Sequence, residues 1–145
     1  MTPSVVVVAY HSGEALGRLL DSLEGADEVI VVDNGGDAEA REGVTLISPR
    51  ENVGFAAGNN LGARHATGDA LVFLNPDTVV VPGALQELVA PLEDPAIGIV
   101  SASLRLLDRP ELLNSAGNEV HVTGIAWAGP YGQPADSASR ASSRA

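Results

Sequence analysis

The sequence predicts an α/β fold built on a doubly wound, mostly parallel sheet. Continuous aliphatic runs at residues 4–9, 28–32 and 71–74 each stop at a polar turn, the pattern of strands buried on both faces. Segments with helical spacing separate these runs, and β-α-β alternation implies right-handed crossovers between parallel strands. Apolar residues make up 45% of the chain and aromatic residues only 3%, so the core is aliphatic, as suits helices packed on such a sheet.

Residues 4–9 form the first strand, which ends at Tyr10-His11-Ser12-Gly13. Ser12 is placed to cap a helix whose Leu16, Leu19, Leu20 and Leu23 share one stripe, with Glu14 in the first turn and Gly25 as its stop. Residues 28–32 are the second strand and residues 33–37 a sharp turn through Gly35 and Gly36. Val44–Ile47 reads as a short third strand. A helix rich in Gly and Ala then runs to Thr67 and is closed by Gly68; its small residues allow close approach to the sheet or to a ligand. Residues 71–74 follow as the fourth strand. Pro82 is placed at the first position of a helix carrying Leu85, Leu88, Val89 and Leu92, which Asp94-Pro95 breaks, and residues 97–104 read as a further strand. Residues 112–125 fit a hairpin or loops. One domain therefore extends to residue 128, and residues 129–145, rich in Ala, Ser, Pro, Gly and Arg without periodicity, read as a disordered tail.

Nineteen acidic residues face eight basic ones, all Arg, for a formal net charge of −11. That balance argues against a nucleic-acid surface, which needs clustered cations. It also means that a phosphate-bearing ligand would require a divalent cation, Mg²⁺ or Mn²⁺, to screen it from carboxylates. The chain has no Cys, which excludes disulfides and thiolate metal sites. No apolar run reaches the roughly 20 residues that span a bilayer. The first strand follows the N-terminus without a basic and apolar leader, so the expected location is cytoplasmic.

Ligands of open α/β sheets bind beyond the carboxyl ends of the strands, which focuses attention on three polar turns. Asp77 follows a strand in a turn stiffened by Pro76, where a carboxylate can hold Mg²⁺ or Mn²⁺ alongside substrate phosphate oxygens; the plainer account of Asn75-Pro76-Asp77 is turn formation. Asp33 ends the second strand and can accept hydrogen bonds from a ribose or base, or simply shape the turn. Gly54 at a helix start frees backbone N–H groups toward phosphate, and Asn59 can bond on two edges, whereas Asn52 and Phe55 also fit capping and packing. Arg50 and Arg64 are candidate cations for a base or diphosphate. His11 as a polar turn residue outweighs His11 as a base, and His65 and His121 receive no role.

In their order and spacing, VIVVDNGG at 29–36, ENVGFAAGNNLGARHATGD at 51–69 and LVFLNPDT at 71–78 resemble the nucleotide-binding half of a family 2 glycosyltransferase of the GT-A fold. Asn-Pro-Asp, where relatives carry Asp-Xaa-Asp, is similar to the rhamnosyltransferase-like branch. The resemblance covers about residues 4–106. It implies that Asp77 binds the cation bridging the nucleotide diphosphate, with Asn75 in place of the first acidic residue. It also implies that Asp33 contacts the nucleoside, that Tyr10 brackets the base, and that Asn52, Gly54 and Asn59 belong to the nucleotide-sugar site. His11, where the family commonly has Asn, and Gly36, where it commonly has Ser, are departures.

The implied reaction is inverting transfer of a sugar, rhamnose in this branch, to a polysaccharide or lipid-linked acceptor, in the cytoplasm or at the inner face of the membrane. The family's catalytic base lies well after Asn-Pro-Asp in an acidic segment. Of the acidic residues beyond Leu107, namely Asp108, Glu111, Glu119 and Asp136, none has a matching context. The chain therefore reads as a truncated donor-binding half, whose exposed sheet edge offers a route to a homodimer. The alternatives are a non-catalytic donor-binding protein and a nucleotidyltransferase. The latter would place a Gly-rich basic loop after the first strand, where this chain has Tyr10-His11-Ser12-Gly13.

Overall fold

A computed structural model describes residues 1–23, 26–120 and 126–137, with side chains omitted at 118–120 and 126–128. The chain forms two compact units, Met1–Ala90 and Pro91–Ala145, in place of one domain running to residue 128.

The first unit is a four-stranded parallel sheet in the order β3-β2-β1-β4, comprising β1 (Pro3–Ala9), β2 (Glu28–Asp33), β3 (Val44–Ile47) and β4 (Ala70–Leu74). α1 (Gly13–Ser22) links β1 to β2, and α2 (Phe55–Ala63) links β3 back to β4. The two crossovers move in opposite directions along the sheet, so right-handedness puts their helices on opposite faces. The doubly wound parallel sheet read from the sequence is the fold observed. β1 is the centre: Val5, Val6 and Val7 are fully buried, flanked by Val29, Ile30, Val31 and Val32 of β2.

α2 approaches the sheet through glycine. A Cβ on Gly62 would overlap the Val6 side chain, and one on Gly58 would come within 3.0 Å of both Val8 methyl groups. α2 is shorter than the sequence suggests, ending at Ala63 rather than Thr67. The reason lies at the amino edge of the sheet. Glu28 accepts from the Thr67 N–H (2.9 Å) and hydroxyl (2.9 Å) and from the Ser4 hydroxyl, while Ser4 Oγ accepts from Gly68 N (2.8 Å). Backbone committed to these bonds cannot continue a helix.

Other boundaries shift for local reasons. Ser12 sits at the α1 N-cap in a helical conformation, and its hydroxyl accepts from Tyr10 N (3.2 Å) instead of capping. The Gly25 stop lies outside the described residues. α3 (Ala84–Val89) starts two residues after Pro82, because Gly83, at φ +82°, completes a turn first. It buries Leu85 and Val89, then tightens to a 3₁₀ turn over Ala90–Glu93, where Pro91 has no N–H to donate to an α-helical bond. β4 is an edge strand, not a strand buried on both faces: Leu71 and Phe73, opposite Ser4 and Val6 on the α2 face, are 44% and 50% exposed.

In the second unit, residues 97–103 have no regular structure, and the strand expected there reduces to β5 (Leu104–Leu106). A tight turn at residues 107–108 brings only this stretch beside β6 (Arg109–Ser115), so the preceding backbone has no ladder to join. β7 (Asn118–Val120) and β8 (Ala126–Ala128) form an antiparallel pair, with His121 between them outside the described residues. Residues 129–137, expected to be disordered, are tied to β6: Leu113 N donates to Gln133 O (2.8 Å) and Gly132 N to Leu113 O (2.8 Å), around a fully buried Leu113.

Two predictions follow from the packing of the first unit. Gly62→Ala gains about 1 kcal/mol of helix propensity but overpacks Val6, for a net loss of roughly 1–2 kcal/mol in denaturant unfolding. The Ser4 hydroxyl, followed by the Thr67 backbone N–H, holds the Glu28 carboxyl below its ordinary value of 4.5. A lowered folded-state value stabilises the protein above pH 4.5 and loses that contribution as pH falls below it, so the stability gap between wild type and Glu28→Gln is full at pH 7 and closes in acid.

Candidate functional site

Register places three strand ends at one edge. Ala9 pairs with Asp33, and Val7 pairs with Leu74, so the segments after β1, β2 and β4 emerge side by side. The strand order reverses direction between β1 and β4, the position at which open sheets leave a crevice for ligands. Tyr10 follows β1 and Asn75-Pro76-Asp77 follows β4 on either side of that position, with Asp33 one strand away at the end of β2.

The two candidate carboxylates differ in their surroundings. Asp33 is 2% exposed, and its Oδ1 accepts from Gly35 N (3.0 Å) and Gly36 N (2.8 Å), its Oδ2 from Ala38 N (2.9 Å). It therefore shapes residues 34–38. Asp77 is exposed in a turn closed by Thr78 N donating to Asn75 O (3.1 Å), and its carboxylate has no hydrogen bond or ion pair among the described residues. It is free to accept a ligand. Among the described residues no three of His, Asp and Glu gather into a metal-ligating group.

Tyr10 is 57% exposed, with its ring centroid 4.3 Å from that of His11. His11 has φ +49°, a left-handed conformation that Asn, Asp and His tolerate better than most residues. Its Nδ1 lies 2.9 Å from Asp37 Oδ2, and Gly35 packs so closely that a Cβ there would come within 2.8 Å of His11 N. His11 is thus a turn residue held by Asp37. A groove of about 410 Å³ between α1 and residues 37–41 adjoins this corner, lined by Leu16, Gly17, Leu20, Ala38 and Arg41 among others.

The Asn52–Gly54 stretch reaches the same edge. Asn52 Oδ1 accepts from Gly54 N (2.8 Å), and Gly54, at φ +80°, starts α2 without a side-chain cap. Asn59 turns its amide nitrogen onto Phe55 O (3.0 Å), one turn back on its own helix. Arg50 lies between β3 and Asn52 and is exposed, with no ion pair among the described residues. Arg64 does not join the site: α2 runs from Gly58 beside Val8 to Gly62 beside Val6, so Arg64, after its last residue, lies toward the amino edge.

Two residues that brace the loops at this edge escape the sequence reading. The Ser22 hydroxyl donates to Leu19 O (2.7 Å) and accepts from Val80 N (3.0 Å), anchoring the chain just after Asn75-Pro76-Asp77 to the end of α1. Asn34 binds the Val53-Gly54 backbone from the end of β2. The available signal for Asn34 was a carboxamide immediately after a buried strand; for Ser22, one hydroxyl in an otherwise ordinary helix terminus gave none.

The profile of Glycosyl transferase family 2 matches residues 4–115. A low-salt glycan biosynthesis hexosyltransferase, Agl10, from Haloferax volcanii is 28% identical over 127 residues, covering 81% of this chain and 39% of its own length. An uncharacterized glycosyltransferase, YfnE, from Bacillus subtilis is 36% identical over 104 residues, covering 62% of this chain and 26% of its own length. Among solved structures, a mannosyltransferase from Pyrobaculum calidifontis in complex with GDP-Man and Mn²⁺ aligns with a TM-score of 0.62 at 26% identity, over 72% of this chain and 36% of that one. TarS of S. aureus aligns at 0.53 and 21% identity, over 65% of this chain and 20% of that one, a likeness of fold. The chain thus spans well under half the length of each of these proteins. Among the described residues no helix is long and apolar enough to cross a membrane.

The geometry separates the two carboxylates by stability. Asp33→Ala strands three backbone N–H groups and is expected to cost about 2–3 kcal/mol in urea unfolding, whereas Asp77→Ala should stay within about 0.5 kcal/mol of wild type.

Proposed function

The chain belongs to glycosyl transferase family 2, and from that premise we propose that it supplies the donor-binding part of a glycosyltransferase acting on a nucleotide-diphosphate sugar. The observation that carries this reading is the reversal of strand order between β1 and β4, whose carboxyl ends lead into Tyr10 and into an exposed Asp77 carboxylate without hydrogen bond or ion pair among the described residues. In this reading Tyr10 brackets the base and the end of β2 at Asp33 faces the nucleoside. The backbone of Asp33's turn, fixed by its carboxylate, forms the wall of that pocket. Asn52, Gly54, Asn59 and Asn75 complete the nucleotide-sugar site, with Arg50 as the cation at the same edge.

Asp77 would hold Mg²⁺ or Mn²⁺. Its fit rests on an open carboxylate in a stiff turn, enough for a cation that takes most of its remaining ligands from diphosphate and water. Such a cation supplies charge neutralisation of the departing diphosphate, which a chain of net charge −11 needs. The similar mannosyltransferase was captured with GDP-Man and Mn²⁺, which supports this class of ligand. Transfer with inversion, to a saccharide or lipid-linked acceptor, is the proposed reaction, with rhamnose as the sugar suggested by Asn-Pro-Asp. The acidic residues Asp108, Glu111 and Asp136 lie in the other compact unit, and none is assigned as the base.

Isothermal titration of the chain with GDP-mannose, dTDP-rhamnose and UDP-glucose, in Mn²⁺, Mg²⁺ or EDTA, tests the proposal. Metal-dependent binding of one of them, lost in EDTA and reduced at least about tenfold in Asp77→Ala, is the expected result. Binding of none under any condition would sink it.

A further inference from the structure

We propose that Asn34 is a positioning residue for the donor site, a role that rests on the donor-binding reading above. Asn34 follows β2 directly, is 9% exposed, and its backbone N–H donates to Ala9 O (2.8 Å) at the end of β1. Its carboxamide then spans to a segment nineteen and twenty residues away: Nδ2 donates to Gly54 O (3.2 Å), and Oδ1 accepts from Val53 N (3.3 Å). One side chain thereby joins the carboxyl ends of β1 and β2 to the start of α2.

The two bonds have distinct consequences. Gly54 O also accepts from Gly58 N (3.0 Å), the first bond of α2, so the Asn34 donor fixes the carbonyl from which the helix starts. Gly54 lacks a side-chain cap, and its φ of +80° is one that glycine adopts without cost. Nothing in the glycine itself selects that conformation, and Asn52 Oδ1 restrains only its N–H. Asn34 supplies the second, long-range restraint. The small residues beneath it contribute as well: the Cβ that Gly58 lacks would sit 3.5 Å from Asn34 Nδ2, so the carboxamide is packed against the helix it holds.

Asp33 and Asn34 therefore act in opposite directions along the chain. Asp33 folds its carboxylate onto the following residues and shapes the 34–38 turn, while Asn34 reaches across to the 52–54 turn. Both turns border the same sheet edge, and their relative placement runs through the adjacent peptide. The carboxamide thus binds the N–H of the 52–53 peptide and the C=O of the 54–55 peptide, fixing the 53–54 peptide from both sides.

The test compares Asn34→Ala, which removes both bonds, and Asn34→Asp, which keeps the acceptor for Val53 N but sets an oxygen against Gly54 O. Ser4→Ala, which breaks the clamp at the opposite edge of the sheet, serves as the stability reference. Thermal melting and titration with GDP-mannose, dTDP-rhamnose and UDP-glucose in Mn²⁺ are measured for each full chain. The expected result is a dissociation constant raised about tenfold or more in both Asn34 variants at a temperature where all are folded, with binding by Ser4→Ala unchanged. Wild-type binding retained unchanged by both Asn34 variants would overturn the positioning role and leave the donor site standing. Failure of wild type itself to bind any of the three sugars would overturn the donor reading and this role with it.

Discussion

Hydrogen bonding of β1 on both its edges is the constraint from which the site descends. Its parallel pairing with β2 and β4 aligns Ala9 with Asp33 and Val7 with Leu74, so three chain segments leave the sheet at one edge by register alone. That register depends on a core with little tolerance, since Val5, Val6 and Val7 are fully buried and α2 is seated where Gly58 and Gly62 present no side chain. Shifting β1 by one residue would exchange its two buried faces and move every group at the carboxyl edge.

The two ends of the sheet are finished in different ways. At the amino edge, Ser4, Glu28, Thr67 and Gly68 close a network in which the Glu28 carboxylate accepts several donors. At the carboxyl edge the polar side chains divide between those turned inward and those left outward. Asp33 and Asn34 spend their hydrogen-bonding capacity on backbone, whereas Asp77 and Arg50 are exposed and Tyr10 presents its ring. Rigid inward groups beside open outward ones are what preorganisation of a binding site requires.

Strands and helix faces were legible in the sequence because burial dictates them. Val44–Ile47 was readable residue for residue, and the Leu16, Leu19 and Leu23 stripe is buried as its spacing implies. Ends of elements were less legible, because distant partners decide them. Nothing local in Ala66-Thr67-Gly68 says that Glu28 will take the Thr67 N–H, and nothing in residues 97–103 says that no strand will lie beside them. β4 misled for a related reason: an all-apolar run is the same for a central strand and for an edge strand with Leu71 and Phe73 uncovered on one face. At the site, the motif residues were readable as a set but not their division of labour. Asp33 ends a strand and Asp77 lies just past one, and only the fold shows that one carboxylate is consumed by its own turn. Asn34, hidden in turn chemistry between Asp33 and Gly35, could not be told from an ordinary turn residue until its partners nineteen and twenty residues on were in place.

Charge adds a last constraint on how such a site can work. With a net charge of −11 the chain repels a diphosphate at long range, so binding cannot depend on electrostatic steering by the protein alone. Burying Asp33 under three backbone N–H donors reduces its repulsion at the pocket without removing it. Under the proposed donor reading the exposed Asp77 serves a purpose that a neutral residue could not: it draws a cation to the edge that receives the diphosphate. In that reading Asp77 couples ligand binding to metal binding, and each is weak without the other.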